Sequence, residues 1–296
     1  MKTEKNILIA FLLNLAFSLF ELFGGFFTNS VAIISDAIHD FGDAMSIGVS
    51  YFLEKKSKKK PDNKYTYGYT RYSILGAFIT NTILITSSVL VIVNAIERSI
   101  NPIEINYNGM LIFAVFGTII NFLAAYFTKD GDSLNQKSVN LHMLEDVLGW
   151  IVVLIGAILI KFTRINIIDS ILSIGVAIFI SVHALKSFKK ILDLFLEKTP
   201  NDINLEELKE HILQIEDIID VHHIHLWSMD GINNYATMHL VTKIDNVEKL
   251  KQDVRNELKE HKINHVTIEL EDETHNCEEK ECEIRIDNKN SYHHHH

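Results

Sequence analysis

His39-Asp40-Phe41-Gly42-Asp43 and His142-Met143-Leu144-Glu145-Asp146 each place a His and an Asp four residues apart inside a long apolar stretch. Four residues is close to one helical turn, so both side chains of a pair leave the same helix face. An ionisable group at the centre of a bilayer costs about 2.5–3.5 kcal/mol on insertion scales. Four such groups in two matched pairs therefore mark a site. Neutral imidazole nitrogen and carboxylate oxygen are both good Zn²⁺ ligands, and two of each complete a tetrahedron. The spacing predicts a transition-metal site within a membrane, built from His39, Asp43, His142 and Asp146.

Around these pairs the chain divides in two. It has 296 residues, 47% apolar and 22% charged. Residues 1–200 are rich in Ile, Leu, Phe and Ala, whereas the net charge of −10 comes from the acidic part beyond about residue 201. This predicts a transmembrane domain over 1–200 and a small soluble domain over 201–274. An acidic tail over 275–292 follows, and His293 to His296 read as the remnant of a purification tag. The two cysteines, Cys277 and Cys282, imply no disulfide framework and suit a reducing cytosol. No nucleic-acid partner is expected.

A helix needs about 20 mostly apolar residues to cross a bilayer. Six segments qualify: 6–27, 31–53, 73–97, 108–128, 138–161 and 166–190. The first contains Asn14 and Glu21 and reads as a membrane helix rather than a cleaved signal. Lys and Arg concentrate between spans two and three (Lys55, Lys56, Lys58, Lys59, Lys60, Lys64 and Arg71) and at the end of span six (Lys186, Lys189 and Lys190). Both termini are therefore expected in the cytoplasm, in a multi-pass protein of the cell (plasma or inner) membrane. Spans two and five then run antiparallel, with Asp43 and Asp146 near the middle of each, where transporter sites tend to lie. Asn14, Asn81 and Asn121 read as interhelical hydrogen-bonding groups.

Beyond Asn201 the pattern becomes helix, strand, strand, helix, strand, which suggests a small α+β domain of ferredoxin-like arrangement. Asn204 opens the first helix, and Asp230-Gly231 joins the first two strands, Ile219 to Met229 and Tyr235 to Ile244. The domain is dense in ligand types: His222, His223, His225, His239, His261, His265, Glu269, Glu271 and Asp272. Strict alternation puts His223 and His225 on one strand face and His222 on the other. A domain this small is expected to gain stability by dimerising.

Taken together, these residues resemble the cation diffusion facilitator family, bacterial zinc-efflux type. The resemblance rests on 29–43, on 140–149, on Val221-His222-His223-Ile224-His225-Leu226-Trp227 and on His265-Val266-Thr267-Ile268-Glu269-Leu270-Glu271. It implies a homodimeric antiporter that exports cytosolic Zn²⁺, with Cd²⁺ and Co²⁺ as substitutes, against external protons. It assigns His39, Asp43, His142 and Asp146 to transport. It further implies that His222, His239, Glu269 and Glu271 bind Zn²⁺ in the cytoplasmic domain, with Glu269 standing where some relatives carry histidine. In relatives a base at the position of Arg71 pairs with an acid near the end of span six, here Asp193. The loop between spans two and three offers Asp62, Tyr65 and Tyr69 but no histidine, so no metal site is expected there.

Two other classes remain open at this point. A membrane zinc sensor that does not transport retains the same ligands. An intramembrane zinc hydrolase usually shows His-Glu-x-x-His, which this chain lacks.

Overall fold

Backbone groups in a bilayer have no water to bond, so an apolar run of spanning length must satisfy them internally as a helix. The computed structural model of the chain describes residues 2–28, 31–100, 107–163, 167–243 and 247–272. The side chain of His39, and the 275–292 tail with Cys277 and Cys282, lie outside the described set. Among the described residues six long helices belong to the first of two compact units, Met1–Leu196. They are α1 (Lys2–Thr28), α2 (Val31–Ser57), α3 (Arg71–Ile100), α4 (Tyr107–Thr128), α5 (Leu134–Thr163) and α6 (Ile167–Phe195). Among the described residues three stretches are both long and apolar enough to cross a membrane: Thr3–Gly24, Arg71–Glu97 and Leu134–Gly156. Large apolar side chains such as Phe23, Phe52, Leu90 and Phe122 face outward, which suits a lipid surroundings better than water.

Several helices outrun the apolar stretches that announced them. α2 continues to Ser57, α5 begins at Leu134 and α6 reaches Phe195, beyond the expected limits of 53, 138 and 190. Hydropathy marks where the apolar stretch stops, not where hydrogen bonding stops. Glu54, Lys55 and Lys56 are good helix formers and carry α2 onward, and the Ser57 hydroxyl closes its end on the carbonyl of Glu54 at 2.7 Å.

One buried cluster ties the first unit together. Ile7 and Ala10 of α1, Ile47 of α2, Ala124 and Ala125 of α4, and Val139, Met143 and Val147 of α5 pack as one group. Along the α2–α5 seam, Asp43, Ile47, Ser50 and Glu54 share one buried face of α2, while Asn135, Val139 and His142 share the matching face of α5. Ser50 donates to Asn135 Oδ1 at 2.9 Å, and Asn135 Nδ2 donates back to the Ser50 carbonyl at 2.9 Å. Asn81 of α3 bridges to Ser138 of α5, as its residue type suggested. Asn14 and Asn121 are buried with no side-chain hydrogen-bond partner among the described residues. α3 meets α5 so closely at Gly76 that a Cβ there would lie 2.6 Å from the Asn135 side-chain oxygen.

The second unit begins at Glu197 and runs α7 (Leu205–Leu213), β1 (Ile218–Ser228), β2 (Asn234–Thr242), α8 (Val247–Glu260), β3 (Ile263–Glu271). The Asn204 side chain caps α7 by accepting from the amides of Glu206 and Glu207, a contact worth about 1 kcal/mol. β1 pairs antiparallel with β2, and β2 pairs parallel with β3. The β1–β2 turn closes on Asp230 Oδ1, which accepts from the amides of Ile232 and Asn233. Gly231 takes φ 83° there, a conformation open chiefly to glycine. Leu208 and Ile212 of α7 and Val254 and Leu258 of α8 cover Val221, Leu226, Met238 and Leu240 on one sheet face.

The Gly76 contact sets a stability test. Gly76→Ala forces a methyl against a side chain already held by Ser50, so overpacking of about 1–3 kcal/mol is expected. Gly175 meets nothing within 4 Å, so Gly175→Ala should leave thermal unfolding in detergent unchanged or raised while Gly76→Ala lowers it.

Candidate metal centre

α2 and α5 cross where both carry a buried polar residue. His142 Nε2 lies 3.5 Å from Asp43 Oδ1, and ligand atoms of Asp43, His142 and Asp146 all fall within 4.8 Å of one another. The helices are antiparallel, because two turns further along α2 Ser50 meets Asn135, two turns earlier on α5. His39 lies one turn before Asp43 on the same α2 helix. The expected four-residue site is thus gathered in three of its members, with the fourth side chain outside the described residues.

The environment suits a cation. His142 is buried to 1% side-chain exposure, and neither of its ring nitrogens has a hydrogen-bond partner among the described residues. An imidazole sealed in this way costs free energy unless something takes its lone pair. Tetrahedral Zn²⁺ with bonds of about 2.0–2.2 Å places neighbouring ligand atoms about 3.3 Å apart, close to the 3.5 Å between His142 and Asp43. Behind His142, Glu145 Oε2 stands 4.0 Å from Nδ1, and Glu145 Oε1 accepts from Ser88 of α3 at 2.9 Å.

One polar node was not anticipated. Glu54 is buried, and its Oε2 accepts from Ser73 Oγ at 2.7 Å, Asn135 Nδ2 at 3.3 Å and Ser133 Oγ at 3.4 Å. It ties α2 to α3 and α5. The signal was present in the sequence: Glu54 follows Asp43 by eleven residues, three turns along the same face.

In the second unit the face of the sheet away from α7 and α8 carries a second group. His239 Nδ1 is 2.6 Å from Glu271 Oε1, and His222 Nε2 is 3.3 Å from Glu271 Oε2. Ligand atoms of His222, His239 and Glu271 lie within 4.8 Å of one another. Glu269 reaches His239 Nε2 at 3.3 Å but is 68% exposed. His222 is buried with neither ring nitrogen hydrogen-bonded among the described residues, so this donor set also fits a resident zinc.

Strict alternation fails at this site. The β1–β2 register shifts between His222 and His225, so His222 opposes His239 and His225 opposes Thr237. Residues 237 and 239 point the same way, and so His222 and His225 share a face instead of opposing each other. The extra residue is absorbed at His223, which adopts φ 49°, a left-handed conformation that histidine tolerates better than most residues. The bulge swings the His223 ring to 5.3 Å from that of His222 and 4.9 Å from that of His239.

Arg71 opens α3 and Asp193 lies in the last turn of α6. These two ends are joined by Ile74 and Ala77 against Ile191. In the loop before α3, Asp62 Oδ2 accepts from the Tyr69 hydroxyl at 2.6 Å, and Oδ1 accepts from the amides of Lys64 and Tyr65.

Apolar helices enclosing a carboxylate–imidazole cluster, together with a small mixed-sheet domain that carries a second one, define a membrane protein that handles metal cations. Family models agree on both units: the cation efflux transmembrane domain matches residues 7–196, and the cation efflux protein cytoplasmic domain matches residues 200–273. The chain is 32% identical over 301 residues to the cadmium, cobalt and zinc/H(+)-K(+) antiporter of Bacillus subtilis (strain 168), covering 99% of this chain and 97% of that protein. It is 30% identical to the zinc transporter ZitB of Yersinia pestis, covering 99% and 96% respectively. It is 31% identical to the metal cation efflux system protein CzcD of Cupriavidus metallidurans, covering 90% and 86%. The chain belongs to the cation efflux family. These relatives are metal cation transporters, not enzymes, which removes the hydrolase alternative.

The Asp62–Tyr69 contact has a definite pH signature. The Tyr69 hydrogen bond, followed by the two amides, lowers the Asp62 carboxyl below 3.8, and the same bond pushes Tyr69 from 10.0 up to about 12. Loop order from this contact is therefore fully present above the ordinary Asp value and is lost only as pH falls through the lowered Asp62 value. At the alkaline end it is fully present below 10.0 and is lost as pH rises through about 12. Ultraviolet titration should show one tyrosine of the parent ionising at that high value, and Asp62→Asn should return it toward 10.0.

Proposed function

We propose that the chain exports Zn²⁺ from the cytoplasm in exchange for protons, by alternating access at a site of His39, Asp43, His142 and Asp146. The observation that carries this reading is the buried His142–Asp43 pair, whose imidazole has no hydrogen-bond partner among the described residues and whose 3.5 Å separation suits a shared cation. His39 joins by helical spacing, one turn from Asp43 on the same face. Relatives named as a cadmium, cobalt and zinc antiporter and as a zinc transporter support zinc as cargo, with cadmium and cobalt as substitutes. A mixed His/Asp set favours Zn²⁺, whereas carboxylates alone suit Mn²⁺ better.

Exchange follows from the ligands. Zn²⁺ binds neutral imidazole and ionised carboxylate, so protons and metal compete for the same atoms. Histidine, with a reference pKa of about 6.5, changes charge near physiological pH. A site open first to the cytoplasm takes up zinc, and the same site open to the outside gives up zinc and takes up protons. Six membrane spans with both termini cytoplasmic complete the reading, supported by the six long helices and by the bias of Lys and Arg.

The second unit serves as a cytoplasmic, zinc-binding dimerisation domain of a homodimer. His222, His239 and Glu271 would hold a resident zinc, with Glu269 beside them. That ion would neutralise the carboxylate and cross-tie β1, β2 and β3. Arg71 and Asp193 form a charge pair that holds the start of α3 against the end of α6, supported by the packing of Ile74 on Ile191.

Two experiments check these assignments. Asp43→Ala should abolish Zn²⁺ flux driven by a pH gradient in proteoliposomes, and wild-type flux in that variant would sink the site. Arg71→Asp or Asp193→Arg alone should lower the thermal stability of the protein in detergent, and combining the two should restore it. No recovery in the double variant would remove the pair.

A further inference from the structure

A second triad stands on the helical side of the cytoplasmic unit, apart from the sheet-face group. His211 lies in the last turn of α7, Glu257 lies in the last turn of α8, and His261 follows four residues on, just past its end. His211 Nδ1 is 3.1 Å from Glu257 Oε1 and 2.9 Å from His261 Nε2, and His261 Nε2 is 3.4 Å from the same Glu257 oxygen. The two groups face opposite ways. Met238 and Leu240 point into the core beneath α7 and α8, so His239 between them points away from the helices.

We infer that His211, Glu257 and His261 form a separate zinc site that clamps α7 to α8. Three donor atoms edge a triangle of 2.9, 3.1 and 3.4 Å. Bonds of about 2.0–2.2 Å in a tetrahedron give edges of about 3.3 Å, so one ion can sit in contact with all three. Without an ion the triangle is poorly served. A neutral imidazole carries one N–H, and only one N–H fits between nitrogens 2.9 Å apart. Both histidines also lie at helix ends where unpaired carbonyls favour positive charge.

The site has an entry path and an open position. His211 is 40% exposed, Glu257 26% and His261 18%, so a cytosolic ion reaches it directly and a water completes the shell. Two histidines and one glutamate with water is an established zinc ligand set. The clamp has a mechanical consequence. α7 has nine residues, fewer than the ~12–15 at which isolated helices become even marginal in water, and it rests on Leu208 and Ile212 alone among its buried residues. Zinc joining its last turn to α8 stiffens the helical layer, so order in this layer follows cytosolic zinc. This holds independently of which residues carry the transported ion.

The test uses the full chain in detergent, stripped of metal and titrated with Zn²⁺, comparing the parent with a His211→Gln/His261→Gln double variant. Zinc stoichiometry is measured by equilibrium dialysis and local order by hydrogen exchange. The parent should bind one more zinc per chain than the double variant. Zinc should slow exchange in α7 and at the end of α8 of the parent but not of the double variant, while zinc-dependent slowing around His222 and His239 persists in both. Equal stoichiometry, or equal zinc-dependent protection of α7 and α8, overturns the site. If the double variant fails to fold, Glu257→Gln replaces it. The zinc concentration that protects α7 should then rise about 10-fold or more, the least that even outer-shell partners of a metal cost, and an unchanged midpoint overturns the site equally.

Discussion

The meeting of Asp43 with His142 is the constraint around which the polar interior of the transmembrane unit is arranged. A carboxylate and an imidazole are each costly to bury, and only side by side can they share a cation or a proton. Their pairing fixes how α2 and α5 align, both in rotation and in height. Once Asp43 is set against His142, Ile47 falls against Val139 and Met143, Ser50 against Asn135, and Glu54 against Asn135 and Ser133. The seam sets one apolar contact among polar ones at near-heptad spacing, as in coiled coils, so a slip of one turn would break all of them at once. α3 joins through small residues and hydroxyls, with Gly76 beside Asn135, Thr80 beside Ser50 and Ser73 on Glu54. Buried polar groups thus give this helix packing its register, where apolar packing alone would tolerate several.

The cytoplasmic unit solves a different problem. Among the described residues three strands and two short helices bury one sheet face, and no second layer lies on the other. That open face carries His222, His225 and His239 with Glu269 and Glu271, a concentration of polar rings and carboxylates that a second apolar layer would exclude. The β1 bulge makes the arrangement. By spending one extra residue at His223 it turns Ile224 toward the core and brings His222 level with His239. Metal bound there, as proposed, would add a cross-link to a core too small to supply much stability alone.

Much of this was legible from residue order. Apolar run lengths announced six helices, and the two His-x-x-x-Asp pairs marked which faces of α2 and α5 carry ligand-type residues, though not that those faces touch. The helix–strand–strand–helix–strand order announced the second unit, and Asn204 and Asp230-Gly231 located a cap and a turn. Helix ends were less legible, because charged helix formers extend α2 into the loop after the apolar signal has stopped. The role of Glu54 is not legible from residue order, because it stands among lysines at the edge of its span, where a charge looks like the start of the loop. Nor is the role of His211, because its partners, Glu257 and His261, are about fifty residues away and meet it only through the packing of α7 on α8.

The sequence by itself determined which segments become helices and strands, and which faces hold ligand-type residues, because both follow from local periodicity: 3.6 residues per helical turn and two per strand step. Only the tertiary structure decided which of those faces meet. The contact of Asp43 with His142, the gathering of Ser73, Ser133 and Asn135 on Glu54, and the convergence of His211 on Glu257 and His261 each join residues far apart in the chain. The shift that sets His222 beside His239 belongs with them, since a bulge is fixed by the pairing of two strands and not by the alternation within one. Local spacing sets the direction of a side chain relative to its own backbone, but the partner it finds depends on how the elements pack.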